Sequence, residues 1–153
     1  MKLYLVQHGN AVDKEIDPQR PLSEQGEQDV KAMATFLRGA GVRVERVWHS
    51  GKRRAGQTAD ILARKLLAKG EARPIEGIHP NDPVEAFATD ADVWDQDTLV
   101  AGHQPFMGRL VAYLVAGDAD RAVVEFLPGS VVCLERRDVN DWVVCWMLRP
   151  ELL

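Results

Sequence analysis

Little in this sequence asks for a crosslink, a membrane or a polyanionic partner. Only two of its 153 residues are cysteine, Cys133 and Cys145. Two thiols build neither a disulfide framework nor a four-ligand zinc site. Both lie in apolar runs, so both are expected to be buried free thiols of a cytoplasmic protein. No apolar run approaches the roughly 20 residues of a membrane-spanning helix. The segment 1–6 is too short for a secretory leader, lacks a small-residue cleavage site, and reads as a strand. No basic excess is present: 19 Lys and Arg against 23 Asp and Glu give a formal net charge of -4. A general nucleic-acid-binding role is therefore disfavoured. The four histidines, His8, His49, His79 and His103, show no H-x-x-x-H spacing, so no metal or other cofactor is expected. Internal repeats, low-complexity tracts and long linkers are also missing.

What remains is an ordinary globular composition, 46% hydrophobic and 27% charged. The length suits one domain over residues 1–153, with a core that needs no staple. Strand-like and helix-like runs alternate. Residues 2–6 predict a strand ending at Gln7-His8-Gly9, and a polar loop with two prolines follows over 10–22. Ser23 predicts the cap of a helix over 24–39, with Val30, Met33, Ala34 and Leu37 at helical spacing and Gly39 and Gly41 ending it. Val42, Val44, Val47 and Trp48 predict a strand with Trp48 in the core. Ser50 is the expected cap of a helix over 52–68, whose inner stripe is Ala55, Ala59, Leu62 and Leu66. A short strand near 73–76, a loop over 77–83 and a short helix near 83–90 come next. Residues 97–101 predict a buried strand ending at Gly102-His103, and a helix over 105–115 carries Pro105 near its first turn. Residues 129–136 and 142–148 predict a closing hairpin. This order predicts an α/β fold, a three-layer α/β/α sandwich with a mostly parallel central sheet and an antiparallel edge or C-terminal hairpin.

The chemistry gathers where strands end. His8 and His103 each follow a predicted strand, and each has a glycine beside it. In open α/β sheets ligands bind outside the carboxyl ends of the strands, so two histidines delivered there can converge on one crevice. Ser50-Gly51-Lys52-Arg53-Arg54 follows a strand and opens a helix; it reads either as an anion site or as a solvated basic turn. Arg20 stands just before the Ser23 cap. Together these residues point to phosphoryl chemistry with neutral imidazole as nucleophile and arginine forks on the phosphoryl oxygens.

These residues resemble the motifs of the histidine phosphatase superfamily, which includes the cofactor-dependent phosphoglycerate mutases. Residues 5–11 are similar to its "RHG" strand-end motif. Residues 50–58 are similar to its S-P-x-x-R-A-x-Q-T motif, and 101–103 to its second-histidine motif. Arg20-Pro21-Leu22-Ser23-Glu24-Gln25-Gly26 resembles the RPLT-x-x-G stretch of the SixA type, the phosphohistidine phosphatases. The likeness runs in order through residues 1–115. It implies that His8 is the nucleophile that becomes phosphorylated and that Arg54 clamps the phosphate. It implies that His103 contacts the phosphoryl group and that Arg20 lies near the pocket. Gly9 would let the backbone pass close to bound phosphate.

Three positions depart from the family pattern. Gln7 stands where the family has arginine; it can donate a hydrogen bond to substrate but carries no charge, and Arg20, Lys52 and Arg53 are the candidates to compensate. Gly51 replaces the usual proline, with an expected effect on helix-start rigidity alone. Asn10 stands where the SixA type often has an acidic residue. A general acid is left open between Glu76, Asp82 and none, with His79 able to line the pocket. The resemblance implies a phosphatase acting on a phosphohistidine-bearing phosphorelay protein. The alternatives are a small-molecule phosphomonoesterase and a weakly active or inactive phosphate-binding module.

Overall fold

Strand β1, Lys2–Gln7, alternates with period two, so Leu3 and Leu5 enter one hydrophobic cluster while Tyr4 and Val6 enter another on the opposite face of the sheet. Both clusters are covered by helices. The computed structural model describes residues 1–153. After β1 come α1 (Glu24–Gly39), β2 (Arg46–His49), α2 (Arg53–Leu66), β3 (Arg73–Pro74) and α3 (Glu85–Ala91). Then follow β4 (Thr98–Gly102), α4 (Phe106–Ala116), β5 (Val131–Asp138), β6 (Asp141–Leu148) and a closing 3₁₀ turn, Pro150–Leu152. The six strands form one sheet in the order β3-β2-β4-β1-β5-β6. The first four are mutually parallel, whereas β5 runs antiparallel to β1 and β6 antiparallel to β5. This is the predicted α/β sandwich, with the antiparallel pairs at one edge.

Helices α1 and α2 supply one outer layer through Val30, Met33, Ala34, Leu37, Ala59, Leu62 and Leu66. The opposite layer is α3 and α4, through Phe87, Ala88, Phe106, Met107, Leu110 and Val111. The Ser23 side chain caps α1 by accepting from Gly26 N–H, and Glu24 and Glu27 sit in its first turn, where acidic residues suit the helix dipole. No helix is long and apolar enough to cross a membrane.

The topology creates a crevice. Strands β1 and β4 are neighbours in parallel register, Gln7 opposite Gly102. The chain leaves β1 toward the α1 layer and leaves β4 toward the α4 layer on the other face. The two connections diverge, which leaves a gap at the carboxyl ends of these strands, the usual ligand position in such sheets.

Four local expectations need correction. Ser50 does not cap α2: Lys52 holds the cap position, with no side-chain cap bond, and Ser50 turns elsewhere. Strand β3 is only two residues long. Trp48 is half-buried: its neighbour β3 is too short to cover that edge, and Trp94, 5.2 Å away, and the Arg46 guanidinium, 4.4 Å from the ring centroid, pack against its ring. Cys133 is buried as expected, and burial pushes its thiol up to about 12. Cys145, however, is exposed. Register slips there, since Cys133 pairs with Trp146 but Leu134 with Val144. Cys145 is the extra residue of that bulge, which breaks the alternation that would have buried it.

Candidate active site

His8 and His103 are delivered by the adjacent ends of β1 and β4. The His8 N–H donates to the Gly102 carbonyl at 2.9 Å, and the two imidazole centroids lie 5.1 Å apart at 57°. Register alone therefore brings together two residues distant in sequence. The β2–α2 connection adds Arg54, whose Nε donates to His8 Nε2 at 3.3 Å, and Ser50, whose Oγ lies 2.6 Å from His103 Nε2.

The hydrogen bonds define the state of His8. Its Nδ1 is 2.7 Å from the Gly9 carbonyl oxygen. A carbonyl only accepts, so Nδ1 carries the hydrogen and Nε2 keeps its lone pair. Burial pulls His8 down to about 4, against the opposing Gly9 bond, and the charges of Arg54 and Arg20 pull the same way. Burial lowers His103 to about 3, helped by His8, Arg54, Lys52 and His79. Both rings are neutral at pH 7. The arrangement is an imidazole nucleophile facing a guanidinium in a pocket that favours an incoming anion.

Arg20 is held with φ 47 and donates from Nε to the Val12 carbonyl at 3.1 Å, and its charge is felt at both His8 and Arg54. Burial and that charge push Arg54 down from its ordinary value, yet a guanidinium remains protonated at neutral pH. Of the residues expected to compensate for Gln7, Arg20 and Lys52 act on the histidines. Arg53 does not: it donates to Gln19 Oε1 at 3.0 Å and pairs with Asp17 at 4.0 Å. Gln7 itself bonds through its backbone to Ser130 and Gly129, while its Oε1 is buried without a partner. Asp82 accepts from the His79 N–H at 2.9 Å and so closes its own turn. Neither Asp82 nor Glu76 is among the charges acting on His8 or His103. No group of three His, Cys, Asp or Glu side chains is arranged to hold a metal ion.

Two glycines near the site are constrained by their surroundings. The Gly9 N–H is engaged by Thr58 Oγ1 at 3.0 Å, and a Cβ there would lie 2.8 Å from Val30 Cγ2 and 3.2 Å from Leu22 Cδ2. Packing against α1 and its lead-in therefore leaves no room for a side chain at Gly9. Gly51 has φ +89 and donates its N–H to His49 Nδ1 at 3.0 Å. Its place is a backbone conformation, closed to proline, and not a mere loss of rigidity.

Three residues in the 50–58 stretch carry unpredicted duties. Ser50 bonds His103. Gln57 Oε1 accepts from the Leu22 N–H at 2.7 Å, and Thr58 Oγ1 also donates to the Arg54 carbonyl at 2.8 Å. The first turns of α2 thereby clamp the loop after β1 and the lead-in to α1. Gln57 and Thr58, polar residues beside the apolar inner stripe of α2, were the available signal. The connections that follow β1, β2 and β4, residues 8–23, 50–52 and 103–105, contain no helix or strand of the fold.

Comparison with known proteins agrees with this geometry. A family model, histidine phosphatase superfamily (branch 1), matches residues 3–76. The phosphohistidine phosphatase SixA of Escherichia coli strain K12 is 30% identical over 155 residues, covering 98% of this chain and 94% of that protein. A structure of the protein histidine phosphatase SixA complexed with tungstate superposes with a TM-score of 0.88 at 25% identity over 99% of both chains. The α-ribazole phosphatase of Shigella flexneri, 16% identical, shares the fold with a TM-score of 0.71 over 98% of this chain and 97% of its own.

Proposed function

The chain belongs to the histidine phosphatase superfamily, as a SixA-type member, and from that premise we propose that it removes phosphate from phosphohistidine on a phosphorelay protein through a phospho-His8 intermediate. The carrying observation is the state of His8: neutral, hydrogen at Nδ1, lone pair at Nε2, with Arg54 Nε 3.3 Å from that atom. In the proposed first step Nε2 attacks phosphorus and the substrate imidazole, protonated by solvent water, leaves with the P–N bond's electron pair. Arg54 releases Nε2 and takes phosphoryl oxygens, with Arg20 and His103 on the remaining ones. Water then attacks phospho-His8 and frees inorganic phosphate.

A protein-borne phosphohistidine fits because the connections that follow β1, β2 and β4 carry no inserted helix or strand that could serve as a cap. Tungstate, the ligand of the SixA relative, is a tetrahedral oxyanion like phosphate, and the same pocket would receive it. Gln7 favours a second reading, a binding module with little turnover, since a missing preorganised charge-assisted donor costs about 2.7–4 kcal/mol, or roughly 10²–10³ in rate.

The test is phosphate release from a phosphohistidine peptide and from p-nitrophenyl phosphate, side by side. Release from the peptide is expected, absent in His8→Ala and raised by roughly 10²–10³ in Gln7→Arg. A steep preference for small esters would make the protein a phosphomonoesterase. No release from the wild-type chain, with Gln7→Arg active, would establish the binding module.

A further inference from the structure

His103 has two ring nitrogens, and one is taken. Its Nε2 lies 2.6 Å from Ser50 Oγ, whereas its Nδ1 is buried without a hydrogen-bond partner. With Nε2 engaged by Ser50, Nδ1 is the ring nitrogen left to meet a phosphoryl group. An ionised phosphoryl oxygen accepts hydrogen bonds and donates none. Nδ1 must then carry the hydrogen, and Nε2 of the neutral ring must accept.

Ser50 is equipped to donate. The Lys52 N–H already donates to Ser50 Oγ at 3.3 Å, which fills one of the hydroxyl's acceptor sites and leaves its hydrogen free to turn toward Nε2. Both groups are removed from solvent, Ser50 at 6% exposure and His103 at 2%, so no water competes for the bond. The left-handed turn at Gly51 separates Ser50 from the start of α2 and frees its side chain from capping that helix. A neutral imidazole left to itself prefers its hydrogen on Nε2, so the Nδ1–H form needs a donor at Nε2 to hold it.

We infer that Ser50 is the positioning residue of His103: its hydroxyl donates to Nε2, fixes the tautomer with hydrogen at Nδ1, and so presents a neutral donor to the transferring phosphoryl group. The phosphoryl contact, and the tautomer argued from it, rest on the phospho-His8 reading. In the empty site the Nδ1–H is an orphaned buried donor, which a phosphoryl oxygen relieves on arrival. The donor is thus preorganised for the charge that develops during transfer.

Long-range ¹H–¹⁵N correlation of the histidine rings in the full chain, at pH 7 without ligand, reads the tautomer directly. The wild-type chain and Ser50→Thr are expected to hold the His103 hydrogen on Nδ1. Ser50→Ala is expected to move it wholly or partly to Nε2. With the phosphohistidine peptide, Ser50→Ala should lower kcat by roughly 10–100-fold while KM changes less than about threefold, and Ser50→Thr should recover most of the loss. A scaffolding role alone would lower thermal stability without moving the tautomer. Hydrogen on Nε2 of the wild-type ring would overturn the assignment, and so would an unchanged tautomer and kcat in Ser50→Ala. If Ser50→Ala does not fold, the wild-type tautomer and Ser50→Thr still decide. If the wild-type chain releases no phosphate, the phosphatase reading fails separately, and the ring signal still decides the role of Ser50.

Discussion

Two imidazoles kept neutral inside the fold make the protein sensitive to acid. Burial holds His8 at about 4 and His103 at about 3, against roughly 6.5 in an unfolded chain. As pH falls below about 6.5 the unfolded chain takes up protons at these positions and the folded chain does not. Their contribution is therefore intact above pH ~6.5 and is lost progressively as pH falls toward the folded values. For His8 the loss at pH 4 reaches at most about 3 kcal/mol, from the shift at 1.36 kcal/mol per unit. Urea unfolding midpoints from pH 7.5 to 4.5 should fall more steeply for the wild-type chain than for His103→Asn or His8→Ala. Equal slopes would show that the rings are not held neutral. These two residues were legible in the sequence as a strand-end pair, because position alone exposes them. The tautomer of His8 was not, since it depends on the carbonyl of Gly9, whose direction no spacing encodes.

The lead-in to α2 shows where reading from sequence stops. A serine two residues before a basic helical stretch satisfies every rule for a cap, and the boundaries and inner stripe of α2 followed from that pattern. The backbone at Gly51 overrides it. With φ +89 and its N–H on His49 Nδ1, this residue turns Ser50 toward β4 instead of toward the helix. Restoring the proline of the family pattern should therefore harm this chain. Gly51→Pro meets a φ that proline cannot adopt and deletes a bonded N–H, with an expected cost of about 2–3 kcal/mol. The check is the thermal midpoint together with kcat: both should drop, because the same turn aims Ser50 at His103. A stabilised variant would show that the left-handed turn is not required. The bulge at Cys145 is a comparable limit. The apolar run predicts burial, and only a pairing register can reveal that one residue has slipped out of the ladder.

Across the whole molecule, the site is the place where two helical layers part. Crossover order was legible as alternating strands and helices. The insertion of β4 between β1 and β2 was not, because strand order depends on which pairs bond, not on their sequence order. That insertion sets His103 beside His8 and draws on both layers, with Arg54 and Ser50 arriving from α2 and its lead-in. An oxyanion in the crevice would consequently tie three strand ends together, and its binding should stabilise the entire fold rather than one loop. Tungstate at about 100 times its dissociation constant should add about 2.7 kcal/mol, raising the thermal midpoint by roughly 5–11 °C for a chain of this size. The net charge of -4 argues against a general affinity for anions, so the shift should be local to the site. Arg54→Ala should abolish it. Arg137→Ala, which removes an exposed cation paired with Asp141 on the closing hairpin, should leave it intact. A shift surviving in Arg54→Ala would place the anion elsewhere and detach Arg54 from phosphate binding. Its loss in that variant alone would tie the pocket's charge to the stability of all six strands.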